Sequence, residues 1–187
     1  DVTLYEASMG NLANGGGQYL FAGRNEDLLL RRAGIHFDIA GNIRDDATIT
    51  EVVLVMEHLP MDGSATPHYI DLARAARAWG EGTSDAPGDE LTGMAAFAND
   101  ATWLHTFYPY ARWRAAGGDW EADVRGRAEV AEAGSYRWEG AKMADDVQMW
   151  LDSPGTNYGW LIFGKERVPE PEPEGEVEGE LEGDLLE

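Results

Sequence analysis

Three pairs of adjacent acids, Glu26/Asp27, Asp45/Asp46 and Asp145/Asp146, are the first residues that could act as general acid and base. A glycosidase pair needs two carboxyls roughly 5–9.5 Å apart, facing each other across a cleft. Neighbouring residues on a strand point to opposite faces, so none of these pairs meets that need by itself. They read as solvated turn acids. The four histidines, His36, His58, His68 and His105, show neither His-x-x-x-His nor Glu-x-x-His spacing. With no Cys in the chain, that spacing predicts no zinc site. The serines lack a Gly-x-Ser-x-Gly elbow, and no glycine-rich loop ends in Lys-Ser or Lys-Thr. The expectation is a chain that is not an enzyme.

Two binding chemistries have residues to support them. Calcium takes six to eight oxygens from loop carboxylates, amides and carbonyls. The loops over residues 11–17 and 25–27 offer such oxygens, and Glu6, Asn25, Glu26 and Asp27 are the expected ligands, although turn chemistry accounts for the same residues. Sugar binding needs flat aromatics edged by carboxylates and amides. Tyr108, Tyr110, Trp113 and Trp120 lie with Trp103 in one long turn-rich segment and are the expected sugar-stacking set; the alternative is that they are core. For Trp79, Trp150 and Trp160 the core reading is taken outright.

These residues must be positioned by a body of about 165 residues, long enough for one domain with its own core. Many short β-prone runs between glycine-rich turns point to an all-β sandwich. Residues 2–6, 19–22, 31–40 and 49–58 read as strands, and 103–110 as a short one. Residues 127–130 and 135–138 read as two strands joined by a tight turn. Residues 69–79 favour helix by propensity. Residues 144–152 read as a short amphipathic helix with Met143, Val147, Trp150 and Leu151 at helical spacing, stopped by Ser153-Pro154-Gly155. The run Trp160-Leu161-Ile162-Phe163 is apolar on both faces and is expected to be the central strand.

Net charge is −21; residues 168–187 hold nine acids and no base, and the remainder is still −12. Such a body repels phosphate backbones and anionic membranes, so neither nucleic acid nor membrane insertion is expected. No apolar run reaches the roughly 20 residues of a membrane-spanning helix. A chain numbered from Asp1 without Met is expected to be a processed, exported product, found outside the cell or at its surface.

An ordered set of short motifs adds a resemblance. Arg32-Ala33-Gly34-Ile35-His36-Phe37-Asp38-Ile39 resembles the R-A-L-I-R-F-D-L strand of the DNRLRE family of extracellular β-sandwich modules. Asp45-Asp46-Ala47-Thr48-Ile49-Thr50-Glu51-Val52-Val53-Leu54 is similar to the turn and strand that follow there, and Trp79-Gly80-Glu81-Gly82 to its W-x-E-G. Asp100-Ala101-Thr102-Trp103, the segment from Trp113 to Asp119, Asp146-Val147-Gln148-Met149-Trp150-Leu151 and Asn157-Tyr158-Gly159-Trp160-Leu161-Ile162 resemble further family segments, in order. The resemblance covers about residues 1–165. It implies a jelly-roll-like sandwich, a non-catalytic role on secreted or cell-surface proteins, polysaccharide binding in some members, and a strand over 69–79, against propensity. Gly34 departs from it, because an aliphatic residue is usual there.

The acidic segment 166–187 reads as a separate linker or donor strand. Glutamate occupies every even position from Glu170 to Glu182, and Asp184 continues the row. The odd positions are Pro, Gly or apolar, with Val177, Leu181 and Leu185 recurring every fourth residue. Period two gives an extended chain one acidic and one apolar face. Such a strand suits an edge groove on a neighbouring copy, with Val177, Leu181 and Leu185 as anchors, and head-to-tail repetition would build a filament. The expected partners are therefore polysaccharide or further copies of the chain.

Overall fold

The computed structural model describes residues 1–60, 66–88, 90–164 and Glu166. The strands are β1 (Val2–Tyr5), β2 (Leu12–Ala13), β3 (Gly23–Arg24), β4 (Leu30–Ile35), β5 (Val53–His58), β6 (His68–Ala75), β7 (Met94–Ala95), β8 (His105–Phe107), β9 (Ala111–Arg112), β10 (Trp120–Val130), β11 (Gly134–Glu139) and β12 (Trp160–Phe163), with one α-helix, α1 (Ala141–Asp152). Among the described residues the fold is antiparallel β with a single short α-helix. Six strands form the main sheet in the order β1-β4-β12-β6-β10, with β3 also on β4. Three two-stranded sheets, β5/β11, β2/β7 and β8/β9, accompany it.

β12 is central because it is apolar on both faces. It pairs with β4 on one side, Trp160 opposite Ile35, and with β6 on the other, Trp160 opposite Arg74. Trp160, Leu161 and Ile162 are all buried. Trp160 and Ile162 share one face with Ala33, Ile70, Leu72 and Ala128; against that face pack α1, through Met143, Val147 and Trp150, and the β5/β11 pair, through Leu54 and Trp138. The Trp138 indole donates to the Ile70 carbonyl at 2.9 Å, tying the small sheet to the large one. On the opposite face Val2 and Leu4 pack with Ala101, Trp103 and Trp113.

Residues 68–75 are strand, not helix. Both edges of β6 are paired, to β12 and β10, and Ile70 and Leu72 alternate into the core; tertiary pairing overrides alanine's helix propensity. The strand stops at Ala75, short of Trp79. The expected strand at 19–22 is not one. Side chains take its donors instead: Glu90 accepts the Gln18 and Tyr19 N–H groups and Thr3 Oγ1 accepts that of Phe21. Pairing begins only at Gly23. The ladder expected from residue 49 begins at Val53, because the Gln148 side chain occupies the Ile49 N–H at 2.8 Å. The turn after β10 carries the chain from the large sheet to the small one, since β10 pairs with β6 and β11 with β5. At Gly34 an added Cβ would stand 3.1 Å from the Trp79 ring and 3.3 Å from Val2, which explains the missing aliphatic residue.

Candidate functional site: an aromatic sheet face

Side chains on a strand alternate, so the register fixes which residues share the sheet face opposite α1. They include Arg32 on β4, Phe163 on β12, Tyr69, Asp71 and Ala75 on β6, and Glu129, Arg127 and Trp120 on β10. Toward β1 this face is covered by Trp103 and Trp113. Toward β6 and β10 it is open, with Tyr69 52% and Trp120 37% exposed.

Two arginines hold the aromatics in place. The buried Arg32 guanidinium lies 5.1, 4.8 and 5.0 Å from the rings of Trp103, Trp120 and Phe163. It grips Glu166 with two parallel bonds of 2.8 and 2.9 Å and donates to the Gly117 carbonyl. Arg24 also donates to the Glu166 carbonyl, so the chain is tied to the sheet at Glu166. Trp120 and Phe163 rings stand 4.9 Å apart. Arg127 stacks 5.0 Å over Tyr69 and bonds both oxygens of Asp71, which holds its pKa above the usual arginine value. Flat apolar faces with fixed polar groups beside them suit the faces and hydroxyl edges of sugars.

The expected sugar-stacking set does not form one platform. Trp113 is a correction: it is buried in the core beside Val2 and Leu4, its indole N–H given to the Thr102 carbonyl. A motif tryptophan inside a turn-rich segment filled the core rather than the surface. Tyr108 is half-buried and stands edge-on to His105 at 5.1 Å, while Tyr110 is 75% exposed in the β8–β9 turn. Among the described residues no ring contact joins Tyr108, Tyr110, Trp113 and Trp120. Trp120 instead belongs with Phe163 and Arg32. Trp150 and Trp160 are core as expected; Trp79 is half-buried, its indole donating to the Tyr158 carbonyl. A shallow pocket of about 230 Å³ lies beside it, lined also by His36, Glu81 and Asn157.

The expected calcium ligands are engaged in a turn. Glu6 Oε2 accepts the Leu30 N–H at 2.6 Å and Asn25 Oδ1 that of Leu29 at 2.8 Å, while Glu26 and Asp27 are exposed. Among the described residues no group of three or more His, Cys, Asp or Glu is placed to hold a metal ion. Val177, Leu181 and Leu185 lie outside the described residues.

Asp146 is not a solvated turn acid. It is 1% exposed and receives the Trp160 indole N–H at 2.9 Å, with Arg74 at 3.1 Å and Arg125 at 3.4 Å. Glu121 bridges the two arginines at 2.5 and 2.6 Å. Burial pushes the Asp146 carboxyl above the usual carboxylate range, and the indole and the two guanidinium groups only partly offset this. The signal was available: Asp146 falls with Met143, Val147 and Trp150 on the apolar stripe of the helix. The pairing of His58 with His68, rings 5.7 Å apart, had no local signal, since the two come from the ends of different sheets. Compared with known proteins, the chain matches no family model, no curated protein and no solved structure.

Proposed function

We propose that the chain is a non-catalytic module that binds polysaccharide or a cell surface outside the cell, using the open half of the main sheet. The observation that carries this is the pair Tyr69 and Trp120, both exposed on one face and each fixed by a stacked arginine. The jelly-roll sandwich implied by the DNRLRE resemblance belongs to this reading, as does an acidic body that favours neutral ligands over polyanions. The described charges at the α1 interface are spent on one another, which suits a structural rather than a reactive role. Affinity electrophoresis against a panel of neutral polysaccharides tests it. Retardation by at least one polymer, lost in Tyr69→Ala and Trp120→Ala and kept in Tyr110→Ala, is the expected result. Unchanged mobility of the wild type across the panel overturns it.

A second reading is a subunit of an extracellular filament joined by strand donation from residues 175–186. The observation that favours it is the outer edge of β5: among the described residues no backbone hydrogen bond reaches it, its ladder running only to β11. An unpaired edge is a template for an added strand. Light scattering of the chain lacking residues 175–187 tests this; an assembly size unchanged by the deletion sinks it.

A further inference from the structure

His58 is the last residue of β5 and His68 the first of β6, so the two strands of different sheets bring their rings together at one end of the molecule. The centroids are 5.7 Å apart and the planes 68° from parallel. Each ring is oriented through Nδ1: His58 Nδ1 lies 3.1 Å from the Glu132 carbonyl and His68 Nδ1 lies 3.2 Å from the Thr66 carbonyl. A carbonyl oxygen only accepts, so each Nδ1 carries the proton and, in the neutral ring, each Nε2 keeps its lone pair. Metal-ligating imidazoles are prepared in this way, one nitrogen donating to a carbonyl and the other left for the ion. Tyr136 reinforces the arrangement. Its hydroxyl donates to the Glu132 carbonyl and accepts from the Ala131 N–H, and its ring stands edge-on to His58 at 5.8 Å.

We propose that His58 and His68 form a two-histidine site for a borderline divalent transition ion of the Zn²⁺, Ni²⁺ and Cu²⁺ class, bound through both Nε2 atoms. With metal–nitrogen bonds of about 2.0–2.1 Å, two imidazoles on one tetrahedral ion have centroids roughly 5.2 Å apart, so the observed pair reaches that geometry by closing about half an ångström. Both rings are only half-buried and so accessible to an ion from solvent. Among the described residues no third ligating side chain joins them. Imidazole ligands select against Ca²⁺ and Mg²⁺, which take oxygen. The bound ion would staple the small sheet to the large one at the mouth of the β5–β6 connection.

The test uses the full chain and ZnCl₂, followed by long-range ¹H–¹⁵N spectra of the imidazoles and by calorimetry. The apo spectra are expected to show the Nδ1–H tautomer for His58 and His68, and Zn²⁺ to shift their Nε2 signals and leave those of His36 and His105 in place. Zn²⁺ at a hundredfold excess over its dissociation constant should raise the thermal midpoint by roughly 5–10 °C. His58→Asn and His68→Asn should each weaken Zn²⁺ at least tenfold, while the response to CaCl₂, which reports the acidic residues, stays the same in both. An Nε2–H tautomer on either ring in the wild type overturns the proposal, as does Zn²⁺ affinity undiminished in the double variant.

Discussion

Trp113 and Tyr69 show how differently two aromatics of one face are used. Trp113 is 6% exposed, with its indole N–H satisfied inside the core. Trp113→Ala should cost about 3–5 kcal/mol by chemical denaturation. Tyr69 is 52% exposed, and Tyr69→Ala should cost less than about 1 kcal/mol while lowering affinity for long polysaccharide to that of short oligomers. Equal losses of stability in the two variants would show that the face is assigned wrongly. Asp146 gives a pH test. Its carboxyl titrates above the unfolded value because burial outweighs its partners. The folded state therefore holds the proton more tightly. That contribution is complete below the unfolded pKa of about 3.9 and is lost as pH rises through the raised folded value. Asp146→Asn cannot titrate there. In urea unfolding, the stability of the wild type relative to this variant should fall as pH rises from about 3.5 toward neutrality. A difference independent of pH would mean that Asp146 titrates alike in both states.

The strand β12 and the helix α1 were legible in the sequence because each carries a pattern that only one environment satisfies. Four consecutive apolar residues need two covered faces, and Met143, Val147 and Trp150 need one. Their junction is the Trp150–Trp160 contact, 4.7 Å between rings, and Trp160→Ala should cost about 3–5 kcal/mol. A measured loss below about 1 kcal/mol would place Trp160 outside the core. Where side chains replace the ladder, the pattern misled. Residues 19–22 and 49–52 are β-prone in composition, yet Glu90 and Gln148 take their N–H groups. No local rule announces a glutamine 99 positions away as a strand's partner. Gln148→Ala should accordingly speed amide exchange at Ile49 and leave the β5 ladder, held by β11, protected; equal rates in both proteins would show that the bond does not hold the segment. The aromatic site was half legible for the same reason. Trp120 was found by residue type, but its neighbours Arg32 and Phe163, and the second exposed aromatic Tyr69, come from three other strands.

At the scale of the whole molecule, the spacing of the open face decides what kind of ligand it suits. Tyr69 and Ala75 lie six positions apart on β6, and Trp120 pairs opposite Ala75. At about 3.3 Å per residue the backbones of the two residues are roughly 20 Å apart along the strands, and the Trp120 ring leans back to within 4.9 Å of the Phe163 ring, opposite Asp71, so the ring faces lie closer together than that. One sugar ring cannot touch both. A chain of sugars can, and each stacking contact then adds to the other as a tethered second binding event. Arg127 and Asp71 sit between the two, bonded to each other and able to offer outer edges to ring hydroxyls. Affinity for a neutral oligosaccharide series, measured by calorimetry, should therefore rise with length until the ligand spans the face and then level off. In Tyr69→Ala or Trp120→Ala the length dependence should collapse, short oligomers losing little and long ones falling to the affinity of short ones. Affinity that is the same for a monosaccharide and a long oligomer would place binding at a compact site, such as the pocket beside Trp79, and would remove the sheet face from the function.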